Sequence, residues 1–166
     1  YGEYKTPGAK RTLCFYVHYD GQPVDLIQWT HGPFDPVLYD ASMDAGGKPI
    51  PLPMKQTKID PEWRLYARSA GDDKAPIITI LNAVDALQSL KIGFTSNIKL
   101  FFEGEEEAGS TNLEAHLTKH KALLDDIDIW LFCDGPMHQS RQPQLGFGVR
   151  GVPGMEITVH GAIRLG

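Results

Sequence analysis

Three short runs of apolar and β-favouring residues stand out along the chain. They are residues 12–17 (TLCFYV), 98–102 (IKLFF) and 128–132 (DIWLF). A strand covered on both faces has a nearly continuous apolar run, whereas a half-exposed strand alternates apolar with polar residues. The pattern therefore predicts three buried strands.

Two stretches between these runs have helical spacing. Residues 76–90 place apolar side chains about every 3.6 residues, and Pro76 suits a first helical turn. Residues 111–124 repeat the pattern more weakly, with Ser110 or Thr111 as the N-cap candidate. The buried positions are expected at Ile77, Ile80, Leu81, Val84 and Leu87 in the first helix, and at Leu113, Leu117 and Leu124 in the second.

The alternation of strands and helices predicts an α/β fold, with a mixed, mostly parallel sheet and helices on both faces. Residues 21–66 are too long for a plain connection and are expected to form an ordered loop, with room for a hairpin of its own. Residues 145–149 and 155–160 are interpreted as two further strands.

Composition narrows the class of protein. The 166 residues are 42% hydrophobic and 22% charged, which is ordinary for a folded globular chain. A net charge of −5 favours no nucleic-acid partner, and no apolar run is long enough for a membrane span. Cys14 and Cys133 lie in apolar runs and are expected to be free buried thiols, which favours a cytoplasmic location.

Groups able to bind metal follow each predicted strand. His18 and Asp20 follow the first strand, Glu106 and Glu107 the second, and Asp134 the third. In parallel sheets, ligands bind beyond the carboxyl ends of the strands. We therefore expect these groups to converge at one edge of the sheet.

A fourth acidic pair, Asp72-Asp73, precedes the first helix. Taken singly, each cluster has a plainer interpretation as a surface pair, a helix N-terminus or a solvated turn. Taken together, imidazole and carboxylate groups form a ligand set for zinc, manganese or cobalt. One carboxylate shared by two cations would let them activate a water molecule for attack on a substrate carbonyl.

The motifs HYDGQPVD, LYARSAGDDKAPI, FEGEEEAGS and DIWLFCDG occur in this order along the chain. In wording, order and spacing the sequence resembles the dinuclear-zinc metallopeptidase family of carnosinase, cytosolic dipeptidase, carboxypeptidase G, aminoacylase and succinyl-diaminopimelate desuccinylase. The resemblance covers nearly all of the chain and implies a zinc-dependent exopeptidase-like fold.

The resemblance also implies a role for each motif residue. His18 and Asp134 would bind the first metal ion, Asp72 would bridge both, and Glu107 would bind the second. Glu106 would be the general base, and Asp20 the catalytic partner that orients His18. The family often has a cis peptide bond after the bridging aspartate, which here would be Asp72-Asp73. The cofactor implied is a pair of divalent ions, zinc by default, with manganese or cobalt as alternatives.

Some positions depart from the family pattern. Ala67, Ser69 and Ala75 stand where the family often has glycine, which indicates a subgroup. Residues 1–150 would form the metal-binding catalytic domain, and 151–166 would begin a truncated lid or dimerisation domain. The family's last histidine ligand has no counterpart here, so the chain alone is expected to be inactive. The resemblance also implies that the full-length protein is a homodimer.

The implied activity is hydrolysis of an amide bond in dipeptides or small peptides. Two alternatives stay open: an N-acyl amino acid deacylase of the same fold, and a non-catalytic metal-binding domain.

Overall fold

The computed structural model describes residues 1–54, 58–135, 137–138, 140–151 and 154–161. In chain order, its strands are β1 (Gly2–Tyr4), β2 (Thr12–His18), β3 (Val37–Tyr39), β4 (Pro49–Ile50), β5 (Arg64–Tyr66), β6 (Asn97–Glu103) and β7 (Ile129–Phe132). The two α-helices are α1 (Ala75–Ser89) and α2 (Leu113–Lys119). Four strands form the main sheet, in the order β1-β6-β2-β7.

The pairing within this sheet is mostly parallel. β2 runs parallel to both β6 and β7, whereas β1 pairs antiparallel with the outer edge of β6. The three strands predicted from apolar runs are these three parallel strands, so the predicted α/β class and mixed sheet are confirmed. The strand β1 has no such run and was not predicted.

The helices connect the parallel strands. α1 lies in the connection from β2 to β6, and α2 lies in the connection that leads from β6 back past β2 to β7. Parallel crossovers are almost always right-handed, so two crossovers in opposite directions place their helices on opposite faces. This agrees with the prediction of helices on both faces.

The central strand β2 is the most buried element of the sheet. Cys14, Val17 and His18 are each 0% exposed, because β6 and β7 flank this strand on its two edges. Cys14 and Cys133 are free, as expected, although Cys133 is only half-buried. Burial raises the pKa of the Cys14 thiol to about 11.

The long segment after β2 contains a small sheet of its own. β3 pairs antiparallel with β4 on one side and with β5 on the other. Between β3 and β4, Ser42 caps a short 3-10 turn that ends at Gly46, whose φ of 77° suits glycine. The expectation of an ordered loop with a hairpin is confirmed, with one strand more than a hairpin needs.

Helix α1 matches the predicted bounds to one residue, but α2 is shorter than expected. α2 begins after Asn112, not at Ser110 or Thr111, and ends at Lys119, after which residues Lys121–Leu123 form a 3-10 turn. The α2 pattern has fewer apolar residues to bury, so packing supports fewer turns. No residue of α1 is buried: Ile77, Ile80, Val84 and Leu87 are half-buried, and Leu81 is 44% exposed.

The two further strands predicted at residues 145–149 and 155–160 are wrong. Neither segment is a strand, and Phe147, Val149 and Val159 are 84–101% exposed. A strand needs a neighbouring strand for its backbone hydrogen bonds, and the described residues pair none with either segment. Within the expected lid segment, residues 152, 153 and 162–166 lie outside the described residues.

The chain divides into two compact units, residues 1–135 and 136–166. All of the predicted site residues belong to the first unit. The predicted domain boundary at residue 150 stays a prediction. In the part of the chain that the structure describes, no helix has the length and apolar character to cross a membrane.

Candidate metal centre

The carboxyl ends of β2, β6 and β7 lie at one edge of the main sheet. His18, the last residue of β2, is in register with Glu103, the last residue of β6. Tyr16 is in register with Phe132, so Asp134 follows β7 beside His18. Parallel pairing therefore produces the convergence that the sequence predicted.

His18 is the centre of the cluster. Its Nε2 lies 2.9 Å from Asp72 Oδ1, 3.7 Å from Asp134 Oδ2 and 3.8 Å from Glu106 Oε2. The ring is fully buried, whereas these three carboxylates are 37–70% exposed. The Nε2 atom of His18 therefore faces three carboxylates, and a cation between them could contact both the imidazole nitrogen and carboxylate oxygens.

Three residues have the geometry to share one metal ion. His18, Asp72 and Asp134 each offer one ligand atom, and these atoms lie within 4.8 Å of one another. Neither ring nitrogen of His18 makes a well-aligned hydrogen bond with any described residue. A buried imidazole without such a bond, faced by carboxylates, fits a divalent cation of the zinc or manganese type.

Asp20 connects the imidazole to the acidic turn. Its Oδ1 lies 3.2 Å from His18 Nδ1, on the side of the ring away from Asp72. Its Oδ2 accepts a hydrogen bond of 3.0 Å from the backbone N–H of Glu107. Asp20 therefore lies beside the His18 ring, although its Oδ1 makes no well-aligned hydrogen bond with a described residue; its orienting role stays a prediction.

Asp72 and Asp73 are neighbours with different surroundings. They lie in the irregular segment Ala70–Lys74 before α1, and the peptide bond between them is cis, as expected. The side chain of Asp72 is 70% exposed and faces the cluster, whereas Asp73 is 2% exposed. Asp73 Oδ2 accepts a hydrogen bond of 3.2 Å from the backbone N–H of His18, which anchors the end of β2.

Glu106 and Glu107 begin the 3-10 turn Glu106–Ala108, which ends at Gly109 with a φ of 84°. The side chain of Glu106 points towards His18, as described above. Glu107 accepts a short hydrogen bond from Gln22 Nε2, and its carboxylate does not belong to the group formed by His18, Asp72 and Asp134. Of the predicted ligands, the structure brings together His18, Asp72 and Asp134 and leaves Glu107 with Gln22.

The surroundings of the cluster raise the pKa of Asp73, Glu106 and His18. Burial raises the pKa of Asp73 to about 6, against the pull of the His18 N–H, and Asp134 adds to the rise. Burial also raises the pKa of Glu106; His18 opposes this rise, and the charge of Asp134 supports it. Burial alone would lower the pKa of His18, but the carboxylates around it outweigh that and raise it. Crowded negative charge of this kind attracts a cation.

Sequence reasoning missed two supporting contacts. Gln22 holds Glu107, and the buried Tyr16 hydroxyl donates a hydrogen bond of 2.5 Å to Glu103 Oε2. The spacing of Tyr16, two residues before His18, could have indicated a shared face. No pattern along the chain could have paired Gln22 with a residue 85 positions away.

Comparison with known proteins adds to this geometry. The family model described as peptidase family M20/M25/M40 matches residues 14–160. The Cys-Gly metallodipeptidase dug1 of Schizosaccharomyces pombe is 32% identical over 96% of this chain and 30% of its own length. The human Beta-Ala-His dipeptidase is 34% identical over 86% of this chain and 24% of its own length.

Solved structures give the same likeness. Human carnosine dipeptidase 1 superposes with a TM-score of 0.59 at 32% identity, covering 80% of this chain and 24% of that one. The di-peptidase Dug1p from Saccharomyces cerevisiae has a TM-score of 0.58 at 25% identity, with the same two coverages. The chain thus spans between about a quarter and a third of the length of these relatives.

Proposed function

Since the chain belongs to peptidase family M20/M25/M40, we propose that it forms the metal-binding part of a metallodipeptidase, which hydrolyses the amide bond of dipeptides. The observation that supports this most is the group of His18, Asp72 and Asp134, whose ligand atoms lie within 4.8 Å of one another. The curated relatives are named as metallodipeptidases or dipeptidases, so nothing favours the deacylase alternative over this function.

Each residue has a distinct task in the proposed mechanism. His18 and Asp134 would hold a first divalent cation, and Asp72 would contact it and a second one. Glu107 would join the second cation by exchanging its bond with Gln22. Bound cations of this kind acidify a water molecule and polarise the amide carbonyl. Zinc is the cation we expect, with manganese or cobalt compatible with the same oxygen-rich set.

Glu106 would move the proton. Its carboxylate lies beside the cluster without being one of the three grouped ligands, and its raised pKa suits a group that accepts and then returns a proton. It would take the proton from the attacking water and deliver it to the leaving amine nitrogen. Asp20 would keep the ring of His18 in one orientation throughout.

The test replaces Glu106 in the full-length natural protein. Glu106→Gln removes the base but keeps the size of the side chain, so we expect turnover to fall roughly 10²–10⁴-fold while the bound metal is retained. The assay follows amino acids released from Cys-Gly and from β-Ala-His, next to N-acetyl amino acids, and metal content is measured by elemental analysis.

Glu105→Gln is the matched control, because the Glu105 carboxylate is exposed and bonds to Asn112 rather than to the cluster. It should keep natural activity. If the natural protein hydrolyses none of these amides with zinc, manganese or cobalt present, the proposed function is wrong. The homodimer and the cytoplasmic location stay predictions.

A further inference from the structure

The carboxyl group of Glu103 lies next to the candidate metal centre but is not one of its proposed ligands. Glu103 and His18 are paired in the parallel register of β6 and β2. Residues paired in this way lie about 5 Å apart with their side chains on the same face of the sheet. Asp134 follows β7 on the other side of His18, so three strand ends present Glu103, His18 and Asp134 in a row.

Glu103 is buried, with 7% of its surface exposed, and only one of its carboxylate oxygens has a partner. Oε2 accepts the hydrogen bond of the Tyr16 hydroxyl, and the Tyr16 ring is held between Phe101 and Phe132 at centroid distances of 6.0 and 4.9 Å. Oε1 is buried and accepts no hydrogen bond from any residue in the described ranges. Among the described residues, the Glu103 carboxylate also forms no ion pair: no lysine, arginine or histidine nitrogen lies within 4.0 Å of it.

Burying a carboxylate that has a single neutral hydrogen-bond partner lowers the stability of the folded protein, because the hydration that the charge loses is not replaced. A divalent cation bound at the adjacent strand end would offset that charge, and the charge would in turn hold the cation more tightly.

We propose that Glu103 is a positioning residue whose buried charge raises the affinity of the His18–Asp72–Asp134 group for divalent cations. The proposal rests on the proposed function, because it needs cations to bind there. Glu103 acts from beside the site and touches neither substrate nor the reacting atoms.

The experiment measures zinc affinity by competition with a chromophoric chelator, and melting temperature without metal, in the full-length natural protein. Glu103→Gln keeps the size of the side chain and an oxygen for the Tyr16 hydroxyl but removes the charge. We expect its zinc affinity to fall about 10–100-fold, because a unit negative charge beside a divalent cation is lost. Its metal-free melting temperature should stay level or rise, because an uncompensated charge has been removed.

Two variants that keep the charge separate this effect from packing. Tyr16→Phe and Glu103→Asp should both lower the metal-free melting temperature while keeping zinc affinity within a few-fold of the natural protein. The exposed carboxylate of Glu105 provides the control, and Glu105→Gln should change neither quantity.

The outcomes are distinct. If the natural protein binds zinc and Glu103→Gln binds it equally well, the proposal is overturned while the proposed function survives. If Tyr16→Phe and Glu103→Asp lose as much affinity as Glu103→Gln, the role is packing and the proposal is again overturned, and these two variants decide it even if Glu103→Gln does not fold. If the natural protein binds no divalent cation, the proposed function itself fails.

Discussion

At the scale of single residues, the candidate site depends on carboxylates that have different tasks despite being close in sequence. Asp72 faces the cluster and Asp73, its neighbour, is buried and anchors the backbone of His18. Asp20 similarly joins two parts of the site, since one of its oxygens approaches the His18 ring and the other holds the backbone of Glu107. The residue types were predictable from sequence, but the different roles of these carboxylates depend on the direction in which each side chain points.

The link made by Asp20 can be tested by replacing it with asparagine. In Asp20→Asn the side-chain oxygen can still accept a hydrogen bond from the Glu107 N–H. The amide nitrogen then faces His18 Nδ1, and it cannot accept a hydrogen bond from the ring. Losing such a partner typically costs 10–100-fold in metal affinity or activity, and we expect a loss of about that size. Zinc titration and dipeptide hydrolysis measure it.

The control for this change is Asp25→Asn, at an exposed aspartate that caps only the nearby 3-10 turn. It should leave both quantities unchanged. Equal metal affinity in Asp20→Asn and the natural protein would show that Asp20 does not support the metal ligand.

At the scale of elements, the site depends on a close contact between the loop after β2 and the segment before α1. Ser69 in that segment is 6% exposed and has a φ of 61°, a left-handed conformation that favours glycine. A Cβ added to Gly21 in the opposite loop would lie 1.9 Å from Ser69 Oγ. The departure of Ser69 from the family's glycine therefore has a structural consequence, because its side chain fills space that Gly21 leaves open.

A double-mutant cycle tests this contact. Gly21→Ala should destabilise the protein by about 1–3 kcal/mol through overpacking. In the Ser69→Gly background the same change should cost less, because Oγ is gone, with a coupling free energy of about 0.5–3 kcal/mol. Denaturant unfolding of the metal-free protein measures all four free energies of unfolding.

Gly71 provides the control glycine, since an added Cβ there meets nothing within 4 Å and its φ is not positive. The cost of Gly71→Ala should be the same with Ser69 or with glycine at that position. If Gly21→Ala and Ser69→Gly are simply additive, the two loops do not contact each other as described.

At the scale of the whole molecule, the site's charges make the stability of the metal-free protein depend on pH. The pKa of Asp73 is raised from 3.8 to about 6 in the folded protein, so the unfolded chain releases this proton first as the pH rises. The stability that Asp73 contributes is full below pH 4 and is lost between pH 4 and 6. The pKa of His18 is also raised above its ordinary 6.5, so its contribution is lost later, as the pH rises through its folded value.

We therefore predict that the protein, freed of metal with a chelator, melts at a lower temperature as the pH is raised from 4 to above 7. The loss of stability due to Asp73 amounts to at most roughly 3 kcal/mol, because its pKa rises from 3.8 to about 6 on folding. Asp73→Asn should reduce the fall in melting temperature between pH 4 and 6. The fall at higher pH, which is due to His18, should remain. A melting temperature that is constant or rises over this range in the natural protein would contradict the assigned environment of Asp73.

The sequence by itself determined the strands and helices that have a regular apolar pattern, and the identity of the groups at the strand ends. Continuous apolar runs correctly placed β2, β6 and β7 as strands. The expected burial holds for the central strand β2, whereas β7, at the edge of the sheet, has no buried residue. The alternating pattern at residues 145–149 and 155–160 did not produce strands. A strand also needs a neighbouring strand to pair with, and a local pattern cannot show whether one is present.

Only the tertiary structure decided how the edge of the sheet is arranged. Parallel register placed His18 between Glu103 and Asp134. Contacts outside the strands buried Asp73 but not Asp72 and paired Glu107 with Gln22. These outcomes depend on contacts between residues as many as 116 positions apart, such as His18 and Asp134. A sequence specifies which groups can bind a cation, whereas their distances and burial depend on how the strands pair.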